Sequence, residues 1–329
     1  MKSVSWIRTA AAAILGLATL AAPAAAQDYP SRPVTIVVGF DAGGSVDRLA
    51  RGLAPFLSAE LGQPVTVENR PGAGGQVGTT WFLQQPADGY TLMVSPATPY
   101  LPTNILVTGA SYTLDDFTFI NGQWSDFAFL AVPKDSPYKT AAELIEAIKA
   151  NPGKISAGVT FGSVGHISTL VLLDALGLGQ DSIRLVTFDG GGSLRTGIAG
   201  AQVDFSIVQA EGSETIAEFI RPLAVYLTEP RPDFDAPLIN EALKPLGAEV
   251  PVLSGSVRTL IAPAKFKAEH PEDYQKLVDA YRKALENPEF QAWLKQNEMG
   301  GEWIGEERTT EIIRTNFQIL EKYKDLLKQ

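Results

Sequence analysis

The chain has 329 residues, a net charge of −10, two histidines and no cysteine. An acidic chain without a Lys/Arg block is poorly suited to nucleic acid or anionic membrane as partners. The missing cysteines exclude thiol catalysis and thiolate metal sites, and a chain this long builds a core large enough to do without disulfides.

Lys2 and Arg8 flank the start of a short apolar run at 9–20, and Ala24, Ala25 and Ala26 supply small residues for cleavage. This pattern predicts a signal peptide over 1–26, with the mature protein starting near Gln27 and exported to the periplasm. The run is shorter than the roughly 20 apolar residues that span a bilayer.

V-T-I-V-V at 34–38 reads as a buried strand that breaks at Gly39. A loop with Gly43, Gly44 and Ser45 follows, then a helical pattern through Leu49, Leu53 and Phe56. Such a junction gathers backbone N–H groups at a helix start, where an anion is favoured. A second strand at 65–67, a glycine loop at 69–78, a helix to about 85 and a third strand at 91–94 continue the alternation. Three β and α units in so short a span predict an α/β layer with a mostly parallel sheet. The stretch from Ser95 to about 113 reads as a Pro/Thr-rich loop, and strands follow at 117–120 and 127–132.

Residues 140–150 form a well-marked helix stopped by N-P-G. A second α/β series then runs through strands at 155–161, 183–188, 203–208 and 223–227, with a Pro/Asp-rich loop to about 251. The last strand is 257–262, and apolar residues at helical spacing mark the remainder, as at Tyr274, Leu277, Tyr281 and Leu285. The predicted order is two α/β lobes followed by helices that return to the first. Segments 127–132 and 257–262 are the expected crossings, with a ligand cleft between the lobes.

Glycine loops at 39–47, 69–78, 162–166 and 189–193 lie at strand–helix junctions, the edge of an α/β sheet where ligands bind. Ser45, Ser163 and Ser193 add hydroxyls. Arg48, Arg70 and Arg195 are candidate partners for carboxylates, with Arg70 bracing its own loop and Arg195 directed to solvent. Phe40, Tyr100, Phe161 and Phe188 are candidate cleft walls. The spacing G-x-x-x-G-G at 39–44 is neither a dinucleotide fingerprint nor a Walker loop. Ser163 and His166 could mimic a nucleophile and its base, but no G-x-S-x-G elbow is present. A helix cap at Ser163 and a hydrogen-bonding or ligand-facing histidine at His166 are the simpler reading. No enzyme activity, cofactor or metal is expected.

G-F-D-A-G-G-S-V-D, E-N-R-P-G-A-G-G, P-A-D-G-Y-T-L, K-T-A-A-E-L-I-E-A-I-K-A-N-P-G-K, G-S-V-G-H, F-D-G-G-G-S and I-A-G-A-Q-V-D occur in that order. Together they resemble the successive signatures of Bug-type extracytoplasmic solute receptors, the substrate-binding subunits of tripartite tricarboxylate transporters. The resemblance implies a type II Venus-flytrap periplasmic binding protein with two crossing hinge strands. Lobe 1 would comprise 27–125 and 254–329, and lobe 2 126–253. It further implies a monomer that binds a di-, tri- or aromatic carboxylate and delivers it to membrane subunits. Signalling to a membrane sensor is the alternative role, and an exported hydrolase using Ser163 and His166 the third. Carried over by position, the resemblance points to Ala42, Gly43, Gly44, Ser45 and Asp47 in lobe 1, with Ser95 and Thr98 after the third strand. In lobe 2 it points to Ser163 and His166, with Asp189, Gly190 and Gly191 nearby. Two departures are notable. Gly39 replaces a leading proline and Asp41 brings an acid into the first loop, and Thr160 stands where glycine is common.

Overall fold

The computed structural model describes residues 28–325 and 327, apart from 189, 233 and 254. The expected leader lies outside the described residues. Two five-stranded sheets organise the rest. In the first, β1 (Val34–Val38) lies parallel between β2 (Val65–Asn69) and β3 (Thr91–Pro96). Next to β3 runs β10 (Val257–Pro263), antiparallel to it and to the edge strand β4 (Phe117–Ser125). The second sheet repeats this plan. There β6 (Ser156–Val159) lies parallel between β7 (Arg184–Thr187) and β8 (Phe205–Gln209). Then β5 (Ala128–Pro133) runs antiparallel to β8 and to the edge strand β9 (Ile220–Val225).

The strands expected to cross between lobes therefore each belong to one sheet. The backbone crosses just before them, at 126–127 ahead of β5 and at 255–256 ahead of β10. The Asp126 N–H donates to the Ser256 carbonyl at 3.2 Å, so the two crossings run side by side.

Several helices start at the carboxyl ends of parallel strands and bring their N-termini to the gap between sheets. They include α1 (Ser45–Leu61), α5 (Val164–Ala175) and α6 (Gly191–Ala199). In α1 the apolar face Val46, Leu49, Ala50, Leu53 and Leu57 is buried, and Gly62 ends the helix in the left-handed region. In sequence order, α2 is Gln76–Leu83, α3 Ala97–Leu106, α4 Ala141–Ala150 and α7 Ile239–Leu243. The Thr140 hydroxyl caps α4 by accepting from the Glu143 N–H.

Helices α3 and α7 correct the loop expectations for 95–113 and for the stretch before 251. Proline content misled there. Thr98 is extended (φ −110°, ψ 142°), so regular helix begins at Pro99 and Pro102 stands in the first turn. An N–H is not needed in that turn, so Pro102 breaks nothing.

The C-terminal segment forms α8 (Ala264–Glu269), α9 (Pro271–Glu286), α10 (Pro288–Gln296) and α11 (Gly305–Tyr323). As expected, α9 and α10 return to the first lobe and pack on α1. Helix α11 starts against β4 but ends elsewhere, because Leu320, Tyr323 and Leu327 join the hydrophobic core of the second lobe. The last helix thus ties both lobes together.

Candidate ligand-binding cleft

The β1–α1 loop is built from close backbone approaches. A Cβ on Gly39 would sit 3.0 Å from the Gly75 Cα and carbonyl oxygen, so the loop at 69–78 buttresses the first loop from behind. Phe40 covers Gly75 and meets Tyr100 edge-on at 5.2 Å. Asp47 faces away from the gap. Its carboxylate accepts from the Gly43 N–H at 2.8 Å, Arg51 Nε at 2.9 Å and Asn69 Nδ2 at 2.9 Å. Burial pushes the Asp47 carboxyl up, but the Arg51, Gly43 and Asn69 hydrogen bonds outweigh it and hold it below the ordinary aspartate value. No side chain caps α1, whose N-cap is Gly44, so its first-turn N–H groups stay available.

In the second lobe the 160–163 turn closes through Ser163 N–H to the Thr160 carbonyl at 3.1 Å. The Ser163 hydroxyl accepts from the His166 N–H at 3.2 Å, and His166 Nδ1 accepts from the Gly162 N–H at 3.2 Å. Both side chains are committed to backbone, the arrangement of a capped helix rather than of a nucleophile paired with its base. Burial lowers the His166 pKa, which keeps the ring neutral and suited to this acceptor role. The Ser193 hydroxyl turns back on Gly190, accepting from its N–H at 3.3 Å, but no side chain reaches the first-turn N–H groups of α6, which Gly191 and Gly192 open.

One cavity of about 810 Å³ lies between the lobes. Phe40, Gly44, Ser45, Val46, Arg48, Pro96 and Tyr100 line it from the first lobe, with Ser256 and Arg258 at the crossing. Gly191, Gly192, Arg195, Gln209 and Glu211 line it from the second. A recess of about 60 Å³ continues inward past Tyr100, Thr160, Ser163, Gly191 and Arg195. The Thr160 hydroxyl is buried there without a hydrogen-bond partner.

Of the sequence candidates, Phe40, Gly44, Ser45, Arg48, Tyr100 and Gly191 reach the main cavity wall, and Tyr100, Thr160, Ser163 and Gly191 the recess. Asp41, Ala42 and Gly43 are exposed outside the wall. Asp47 and His166 brace their loops from behind it. Ser95 is buried within β3, opposite Thr259 of β10. Thr98 ties α3 to the crossing, donating to the Gly255 carbonyl at 2.7 Å and accepting from the Val257 N–H at 3.0 Å. Gly190 stands before α6 and off the wall, and Asp189 lies outside the described residues. Arg70 pairs with Glu68 at 2.6 Å and stacks on Trp81, bracing its loop as expected. Arg195 corrects the expectation of a solvent-facing side chain, because it lines the cavity and donates to the Glu211 carbonyl at 3.1 Å. Phe188 packs against Gly158 and Gly197, and Phe161 is exposed beside His166.

The sequence reading missed a charged group at the hinge end of the cavity. Arg258 is only 3% exposed, stacks 3.8 Å above Trp124 and forms a short ion pair with Glu211. Arg48 lies 4.0 Å from the same carboxylate. Asp126 Oδ1 accepts from the N–H groups of Phe127 and Glu211, while its Oδ2 is buried without a partner. Two signals were present in the sequence. Arg258 is the one charged residue in a mostly apolar strand, and Glu211 follows the carboxyl end of β8. Among the described residues no cluster of three acids or histidines could hold a metal ion, and no helix is long and apolar enough to cross a membrane.

Two equivalent α/β lobes, joined by paired crossings around a polar cavity, define a two-lobed solute-binding protein. The family model for the tripartite tricarboxylate transporter family receptor matches residues 49–322, and the chain belongs to that family. A UPF0065 protein from the gbd 5′ region of Cupriavidus necator is 32% identical over 95% of this chain and 94% of its own. The periplasmic binding protein BugD is similar in structure, with a TM-score of 0.67 and 28% identity over 90% of this chain and 98% of its own. MatC from Rhodopseudomonas palustris with bound malate gives a TM-score of 0.68 and 25% identity over 91% of this chain and 100% of its own.

Proposed function

We propose that this receptor captures a small organic carboxylate in the periplasm and delivers it to the membrane subunits of a tripartite transporter. One observation carries the reading: the N-termini of α1 and α6, one from each lobe and each with first-turn N–H groups that no side chain takes, line a common cavity. Free N–H groups with helix dipoles behind them favour an anion, and bonds donated from both sides favour closure around it. The hydroxyls of Ser45, Thr160 and Ser163 supply further donors. Malate bound to the related MatC is an organic carboxylate of suitable size. Residues 27–125 with 254–329, and 126–253, are proposed as the two closing bodies of a monomer exported by a cleaved leader over 1–26. Binding and release, without turnover or cofactor, is the proposed chemistry.

A thermal-shift screen of aliphatic and aromatic carboxylates, amino acids and amines tests the reading. A true ligand at 100 times its dissociation constant stabilises the fold by about 2.7 kcal/mol, a visible rise in Tm. Stabilisation by neutral or cationic compounds alone would overturn it.

A further inference from the structure

The hinge end of the cavity holds a carboxylate that belongs to the protein. Glu211 extends from the second lobe to the first, where it pairs with buried Arg258 and lies 4.0 Å from Arg48. Its main chain is fixed as well: the N–H is held by Asp126 Oδ1 at 3.2 Å and the carbonyl by Arg195 at 3.1 Å. Arg258 in turn rests on Trp124 and donates to the Ser256 carbonyl at 3.2 Å, so the guanidinium is held opposite the fixed Glu211 backbone. Arg48, Arg195, Arg258 and Glu211 all line the same cavity as the two helix N-termini.

We infer that Glu211 is a charge-selectivity residue: it fills the arginine site at the hinge end and disfavours ligands with a second carboxylate there. The inference rests on the carboxylate reading above and narrows it to acids with one carboxylate at the helix N-termini and an uncharged far end. The physical reason is like-charge juxtaposition. A second ligand carboxylate reaching Arg258 would lie against Glu211 in a partly dry site, where repulsion is poorly screened. It would also have to displace an internal partner that is already anchored at three points. An ester, amide or hydroxyl at the far end avoids the repulsion and accepts from Arg48 without breaking the Glu211–Arg258 pair. Specificity built this way uses repulsion against one ligand class more than attraction to another.

Calorimetric titration at pH 7.5 with succinate, adipate and terephthalate, each beside its monomethyl ester, tests the inference on the wild-type protein. The monoester is expected to bind at least tenfold more tightly than its parent diacid. Glu211→Gln keeps the side-chain shape and an acceptor for Arg258 while removing the charge. In that variant the diacid-to-monoester affinity ratio should rise at least tenfold, and Arg48→Gln added to it should reverse part of the rise. A wild-type preference for diacids would overturn the inference even if the variant failed to fold, and so would an unchanged ratio in a folded Glu211→Gln. Either result with measurable binding leaves the carboxylate reading standing. Binding of no member of the series, together with stabilisation by neutral or cationic compounds alone in the thermal-shift screen, would overturn both.

Discussion

Asp126 shows what burial does to one carboxyl at the crossing. Burial pushes its pKa up to about 6, with Arg258 opposing and Glu211 adding to the rise. The folded value exceeds the unfolded value of about 3.9, so the folded protein holds an extra proton between them. The stability associated with this group is therefore complete below about pH 4 and is lost as the pH rises through about 6. Asp126→Asn keeps the Oδ1 acceptor for the Phe127 and Glu211 N–H groups and removes the buried charge. It should stabilise the protein by about 3 kcal/mol at pH 8 and by almost nothing at pH 4. Denaturant melts of both proteins at the two pH values check this, and equal midpoints at pH 8 would refute it. Asp41 illustrates the opposite case, a residue that stands out in the sequence yet lies exposed outside the cavity wall.

Among the elements, α5 depends most on a single small residue. A Cβ on Gly165 would lie 2.0 Å from the Ile207 carbonyl oxygen of β8. Backbone cannot yield as a flexible side chain can, so Gly165→Ala must push α5 off the sheet. Overpacking of this kind costs about 1–3 kcal/mol. Because α5 carries the Ser163 turn, ligand affinity should fall together with the melting temperature. Full affinity in the folded variant would show that the turn is not part of the grip. The strands, α1 and the C-terminal helices were legible because apolar spacing follows directly from which face is buried. Helix α3 was not, because its prolines stand at positions where the extended Thr98 delays the helix start.

For the whole molecule, the paired crossings set how the lobes meet. A Cβ on Gly255 would sit 1.6 Å from the Asp126 carbonyl oxygen and 2.3 Å from its carbon. Gly255→Ala therefore forces the two crossing chains apart. The expected outcome is a loss of several kcal/mol, the size reserved for backbone clashes and strain. Calorimetry reads that loss, and small-angle scattering should show a larger radius than wild type without ligand. An unchanged radius and Tm would mean that the crossings accommodate the methyl group elsewhere. Helix α11 adds a further tie, since its start packs on β4 and its end on the second lobe's core.

The sequence by itself determined the two α/β series, the glycine loops at strand ends and the family, because strand runs, turn residues and ordered motifs are local patterns. Gly44, Ser45, Thr160, Ser163 and Gly191 could be found that way, since a helix start at a strand end is visible in a few consecutive residues. An acid in the first turn of α1 also reads as a partner for free N–H groups there, and Asp47 is one. Only the tertiary structure decided which of these loops face one another, that His166 braces its loop rather than lining the cavity, and that Arg195 turns inward. It alone brought together Asp126, Glu211 and Arg258, which are 85 and 47 residues apart in sequence. Their pairing depends on two chain crossings placed side by side, and charge partners separated that far leave no periodicity for a sequence to display.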